Sequence, residues 1–379
     1  ELMKVQEISN ALYGLRGMSS EVDEVCGLLG ALSSKILENK QMMNGQNIGN
    51  ALYGLQGMCS EKLVVRAVLG ALFGKIEESK DILNGQNISN ALYGLRGMSS
   101  RDAEVCGILR ALSSKMSKSK DMLNAQAIGN AIYGLQSMSS EEVEVREVLG
   151  VLSSKISESK DMLNGQEIGN AMYGLQGMSS EEAEVRSVLV VLTSKILESN
   201  AALNGQEIGT ALYGLHGMNS EKAEVRAVLW ALSSKILESK KMLNVEEIIG
   251  CLYNLLDLHF AGCKLNGCLD LFDNIMKACD EVLVSDGDGK VSVVNMHNKH
   301  LCVINSDGEL SVLDGRYMRS LLSVMKLVNH LIGDGVDIPE VAVRMNGIQD
   351  MLNESGSGSD DKTGSIMDKT GSGFKRNKR

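Results

Sequence analysis

The sequence predicts an all-α fold: a right-handed α-solenoid of 40-residue helical-hairpin repeats, followed by a small α+β C-terminal cap and a disordered tail. Three observations predict it. The block Asn50-Ala51-Leu52-Tyr53-Gly54-Leu55-Gln56-Gly57-Met58 recurs every 40 residues without insertion or deletion, and Tyr13, Tyr53, Tyr93, Tyr133, Tyr173, Tyr213 and Tyr253 mark its registers. A fixed period of this size means stacked supersecondary units. Within each period the apolar residues fall at helical spacing. The only proline, Pro339, lies outside the periodic region, as suits long helices.

Residues 161–200 illustrate the unit. Asn164-Gly165-Gln166-Glu167 reads as an N-cap with Glu three residues on, a capping-box variant. Helix A follows, with Ile168, Ala171, Met172 and Leu175 forming one apolar stripe. Gly177 suits a left-handed residue past the helix end, and Met178 supplies the hydrophobic contact of a Schellman-type stop. Ser179-Ser180-Glu181-Glu182 reads as a second capping box, opening helix B with a stripe of Val185, Val188, Leu189, Leu192 and Ile196. Leu203 should cover the corner into the next unit. Gly174 costs roughly 1 kcal/mol relative to Ala in a helix. Its recurrence at Gly14, Gly54, Gly94, Gly134 and Gly214 therefore predicts close helix–helix approach. Six such hairpins and a partial seventh fill residues 1–260. Glu1 falls inside the first repeat, which points to a fragment or a processed form.

Composition agrees. Hydrophobic residues make up 44% and aromatics only 3%, so aliphatic residues and Met must build the core. The formal net charge is −10, which does not draw nucleic acid by itself. The repeats differ, however. Residues 81–120 hold six basic and three acidic residues (+3), and 161–200 hold two and six (−4), so an anionic ligand would favour the third unit. Of eight cysteines, Cys26 and Cys106 stand where other units have Arg66, Arg146, Arg186 and Arg226. That pattern indicates reduced thiols and no disulfide framework. No apolar run is long enough to span a bilayer.

The opposite face of helix A is polar. Gln166, Asn170 and Tyr173 lie at i, i+4 and i+7, and the trio recurs as Gln6, Asn10 and Tyr13; Gln46, Asn50 and Tyr53; Gln86, Asn90 and Tyr93; and Gln126, Asn130 and Tyr133. The sixth unit has Gln206, Thr210 and Tyr213. Two readings stand open: an amide ladder bonded to neighbouring units with Tyr packed between them, or a ridge that grips an extended ligand. Discrimination would lie in two columns that vary. Three positions after the tyrosine stand Arg16, Gln56, Arg96, Gln136, Gln176 and His216; one after the glutamine stand Glu7, Asn47, Asn87, Ala127, Glu167 and Glu207. Arg, Gln and Asn can form paired hydrogen bonds to base edges.

The stretch Ile48-Gly49-Asn50-Ala51-Leu52-Tyr53-Gly54-Leu55 resembles the Asn-x-Leu-(Trp/Tyr)-(Ala/Gly)-Leu signature of octotricopeptide and RAP-associated repeats, which are pentatricopeptide-like helical hairpins of organelle RNA-binding proteins. The resemblance covers about residues 1–260. It implies a sequence-selective reader of single-stranded RNA in a mitochondrion or plastid, with paired helices reading about one base per unit.

Beyond the array, a helix is expected near 263–284, then strands at 290–295, 301–305 and 309–313 with Asp307-Gly308 as a hairpin turn, then helices near 316–332 and 339–353. Residues 261–353 would form the cap and 354–379 the tail, which is rich in Gly, Ser, Asp and Lys. Asp286-Gly287-Asp288-Gly289 lacks the acidic ligands of a calcium loop in EF-hand register. His259, Cys263, Cys268 and Cys279 match no standard zinc spacing. No Walker-type glycine loop exists. The expectation is an intracellular, monomeric, non-catalytic scaffold with no cofactor, metal, membrane or small-molecule substrate. Its partner would be single-stranded RNA or, alternatively, a basic peptide or other extended protein segment.

Overall fold

Asparagine side chains start the A helices from the second repeat on. Asn44, Asn84, Asn124, Asn164 and Asn204 each accept from the backbone N–H three residues on, at 2.8–2.9 Å, satisfying a donor the first turn leaves orphaned. The computed structural model describes residues 3–238 and the segments 293–297, 300–304 and 310–312. The A helices are α1 (Val5–Gly14), α3 (Gly45–Tyr53), α5 (Gly85–Gly94), α7 (Ala125–Tyr133), α9 (Gly165–Tyr173) and α11 (Gly205–Tyr213). The B helices are α2 (Asp23–Glu38), α4 (Leu63–Glu78), α6 (Ala103–Lys118), α8 (Val143–Glu158), α10 (Ala183–Glu198) and α12 (Ala223–Glu238). Each A helix packs on the A helices of adjacent repeats, and each B helix on adjacent B helices. The result is a two-layered helical solenoid.

The expected stripes form the core between the layers. Ile168, Ala171, Met172, Leu175, Met178, Val185, Val188, Leu189, Leu192, Ile196 and Leu203 are at most 1% exposed. The recurrent glycine is explained as well. A Cβ on Gly54, Gly94, Gly134, Gly174 or Gly214 would lie 2.0–2.2 Å from the carbonyl oxygen of Leu12, Leu52, Leu92, Ile132 or Met172 of the preceding repeat, whereas one on Gly14 would meet nothing within 4 Å.

Two local expectations are corrected. Helix A, expected to carry its stripe through Leu175, ends at Tyr173, and the A helices are only 9 or 10 residues long, because their ends tighten. The N–H groups of Leu175 and Gln176 bond three residues back, to Met172 and Tyr173, at 3.0 and 3.1 Å. This is a 3₁₀ turn, and Gly177 then turns the chain at φ +79°. The second capping box does not form. Ser179 Oγ accepts from Glu181 N–H within a turn, while Ser180 Oγ accepts from Asn219 N–H of the next repeat at 2.9 Å. Helix B begins only at Ala183, after an N-cap, Glu182, that makes no side-chain cap.

Those serines belong to a cross-linking system that recurs with the repeat. Ser20, Ser60, Ser100 and Ser140 repeat the Ser180 bond. On the other side, Ser79, Ser119, Ser159 and Ser199 donate to carbonyls of the preceding loop. The ammonium groups of Lys115, Lys155, Lys195 and Lys235 donate there too. Lys155, Lys195 and Lys235 are buried, which a charged side chain tolerates only when its donors find partners. Cys26, Cys59 and Cys106 are free thiols. Cys26 and Cys106 donate to the carbonyls of Ser20 and Ser100, as Arg146 and Arg186 do to Ser140 and Ser180. A small donor thus serves where a guanidinium serves elsewhere.

A separate unit holds β1 (Val293–His297), β2 (His300–Ile304) and β3 (Leu310–Val312), an antiparallel sheet in that order. β1 starts three residues later than expected, so that Val293 faces Ile304 and Val294 faces Val303, apolar pairs that favour this register. The partial seventh repeat, the helices expected at 263–284, 316–332 and 339–353, the Asp286–Gly289 turn, Asp307-Gly308 and the tail lie outside the described residues.

Candidate functional site

The polar face of the A layer carries a groove of about 430 Å³, lined by Tyr13 and Tyr53 of the first two repeats together with Gln86, Asn90, Gln126 and Asn130 of the third and fourth. The two tyrosines belong to a longer column. Tyr13, Tyr53, Tyr93, Tyr133, Tyr173 and Tyr213 follow one another with ring centroids 5.6–5.7 Å apart, a favourable spacing for aromatic pairs. Burial in this column raises the Tyr93 and Tyr173 phenols above their ordinary 10.0, so they stay protonated at neutral pH. Three pairs are stacked and two are tilted, and Tyr13 at the start of the column is 41% exposed.

Beside the tyrosines runs the first variable column. Arg16 Nη1 donates to Tyr53 Oη at 3.3 Å, and Arg96 Nη1 to Tyr133 Oη at 3.0 Å. The Arg96 guanidinium carbon also lies 4.9 Å from the Tyr133 ring centroid and 5.7 Å from that of Tyr93, cation–π distances. His216 stacks on Tyr213 at 6.0 Å. Gln56, Gln136 and Gln176 are half-buried in the same column.

The second variable column is structural. Glu167 accepts from Asn164 N–H at 2.8 Å and Glu207 from Asn204 N–H at 2.9 Å. Glu7 caps Lys4 N–H in the same way, and Asn47 and Asn87 do so through their amide oxygens. This position is the third of the helix, where a capping box needs an acceptor; the Asn–x–x–Glu spacing already carried that signal. Its acids are therefore engaged at helix N-termini, and the same register lines the groove at Ala127.

The trio splits by depth. Gln46, Gln86, Gln126, Gln166 and Gln206 are exposed, and Asn50, Asn90, Asn130, Asn170 and Thr210 are half-buried. Among the described residues no ridge Asn or Gln amide bonds a neighbouring repeat, and none of their polar atoms is buried without a partner. Stacking of this face falls to the tyrosines, and the amides remain available to solvent or a ligand.

Cys106, Glu142 and Glu144 are the only group among the described residues that brings three potential metal ligands within 4.8 Å. Burial raises the Cys106 thiol, which donates to the Ser100 carbonyl, and Glu144 is bound by Arg110. No helix among the described residues is long and apolar enough to cross a membrane. No family model matches the chain, and no curated protein matches it.

Proposed function

We propose that the polar A-layer ridge binds single-stranded RNA as a non-catalytic reader, in organelle RNA metabolism as its repeat signature implies. The observation that carries this is the placement of the two variable columns. Arg16, Arg96 and His216 lie against the tyrosine column, while Glu7, Glu167 and Glu207 are engaged in helix caps. A ridge of hydroxyls, amides and guanidinium groups offers hydrogen bonds to base edges and sugars, the contacts by which helical repeats read one base each. The alternative, a basic peptide, would want free carboxylates along the groove, and the column that could supply them caps helices instead.

Photo-crosslinking of bound single-stranded RNA tests the placement. Crosslinked peptides should map to α3, α5, α7 and the turns after them, including Tyr53, Tyr93, Arg96 and Gln136. Crosslinks confined to the B helices would overturn it.

A further inference from the structure

We infer that the ridge selects a purine tract, one base per repeat, with guanine facing Arg16 and Arg96 and adenine facing Gln56, Gln136 and Gln176; this rests on the RNA reading above. Discrimination falls to the side chains that vary beside the tyrosines, whose hydrogen-bonding groups match base edges. Arg96 is oriented for that task. One Nη–H is held by Tyr133 Oη at 3.0 Å and the guanidinium lies over the ring, which fixes the plane of the fork while leaving its other donors free. Arginine donates only, so it matches an edge with two adjacent acceptors, the O6 and N7 of guanine. Arg16 is held by Tyr53 in the same manner.

The glutamines differ in kind. Each amide has a donor and an acceptor, and no hydrogen bond to the protein occupies the side chains of Gln56, Gln136 and Gln176. That pair matches the N6 donor and N7 acceptor of adenine. Over the first five repeats the column reads Arg16, Gln56, Arg96, Gln136, Gln176, and His216 follows in the sixth. The matching tract is GAGAA or, with the strand reversed, AAGAG.

The test is selection from a randomised single-stranded RNA pool by the whole chain and by its Arg96→Gln and Arg96→Lys variants. Arg96→Gln should fold, since glutamine occupies this position in three other repeats. The wild-type chain should enrich two guanines separated by one adenine. Arg96→Gln should replace one of them with adenine and weaken binding to a GAGAA oligonucleotide by about tenfold, with GAAAA restoring it. Arg96→Lys should lose the guanine preference although it keeps the charge. Enriched RNA without guanines two positions apart, or an unchanged sequence with Arg96→Gln, would overturn the base assignment and leave the RNA reading standing. Enrichment of no RNA would overturn both.

Discussion

The carbonyl oxygen of Ile132 lies 2.1 Å from where a Cβ on Gly174 would stand. Adjacent A helices approach backbone to side here, and only hydrogen fits. Gly174→Ala should therefore force the repeats apart and lower stability by about 3 kcal/mol. Gly14→Ala, whose Cβ would meet nothing within 4 Å, should be neutral or stabilising by up to ~1 kcal/mol through helix propensity. Urea unfolding midpoints of the two variants check the contrast.

Ser137 stands where the other five repeats have a glycine at positive φ, and it adopts φ +72° itself. A side chain in this region costs about 1 kcal/mol. Ser137→Gly should relieve that and raise the melting temperature.

The amides of Asn90 and Asn130 bond no neighbouring repeat among the described residues. Replacing both with Ala should change stability by less than about 0.5 kcal/mol per site, while weakening RNA binding. A large drop in melting temperature would instead make them structural.

The Arg110 guanidinium bonds the buried Glu144 carboxylate and holds it below its ordinary 4.5. A carboxylate depressed in the folded state stabilises the fold above its unfolded value and loses that contribution as pH falls through the folded value. Stability should therefore decline as pH drops below 4.5. Arg110→Gln should flatten that decline, as acid titration of the two chains by circular dichroism would show.

The period, the glycine and the buried stripes were legible because each recurs with an unambiguous physical cause. Gly174 breaks helix propensity without reason unless something packs on it, and Leu175 closes an i, i+3, i+4, i+7 stripe. Ser179 was misread because Ser179-x-x-Glu182 signals a cap locally, and the role of Ser180 was hidden because its partner, Asn219 N–H, lies in the stacked neighbour. The buried Lys195 was hidden for the same reason, since its acceptors lie one repeat away. Glu167 was legible twice over, as a cap and as a variable ridge position, and the Asn164 N–H decides for the cap. The tyrosine column was visible as a register, but that its rings lie 5.6–5.7 Å from one another depends on how neighbouring repeats stack, which no single repeat encodes.

Binding of the whole chain to a random single-stranded RNA pool, titrated with salt, tests the central claim most directly. With Arg16 and Arg96 engaged on base edges and not on phosphates, the plot of log K against log salt should be shallow, with micromolar or tighter binding at low salt. Absence of binding at low salt would contradict the RNA reading.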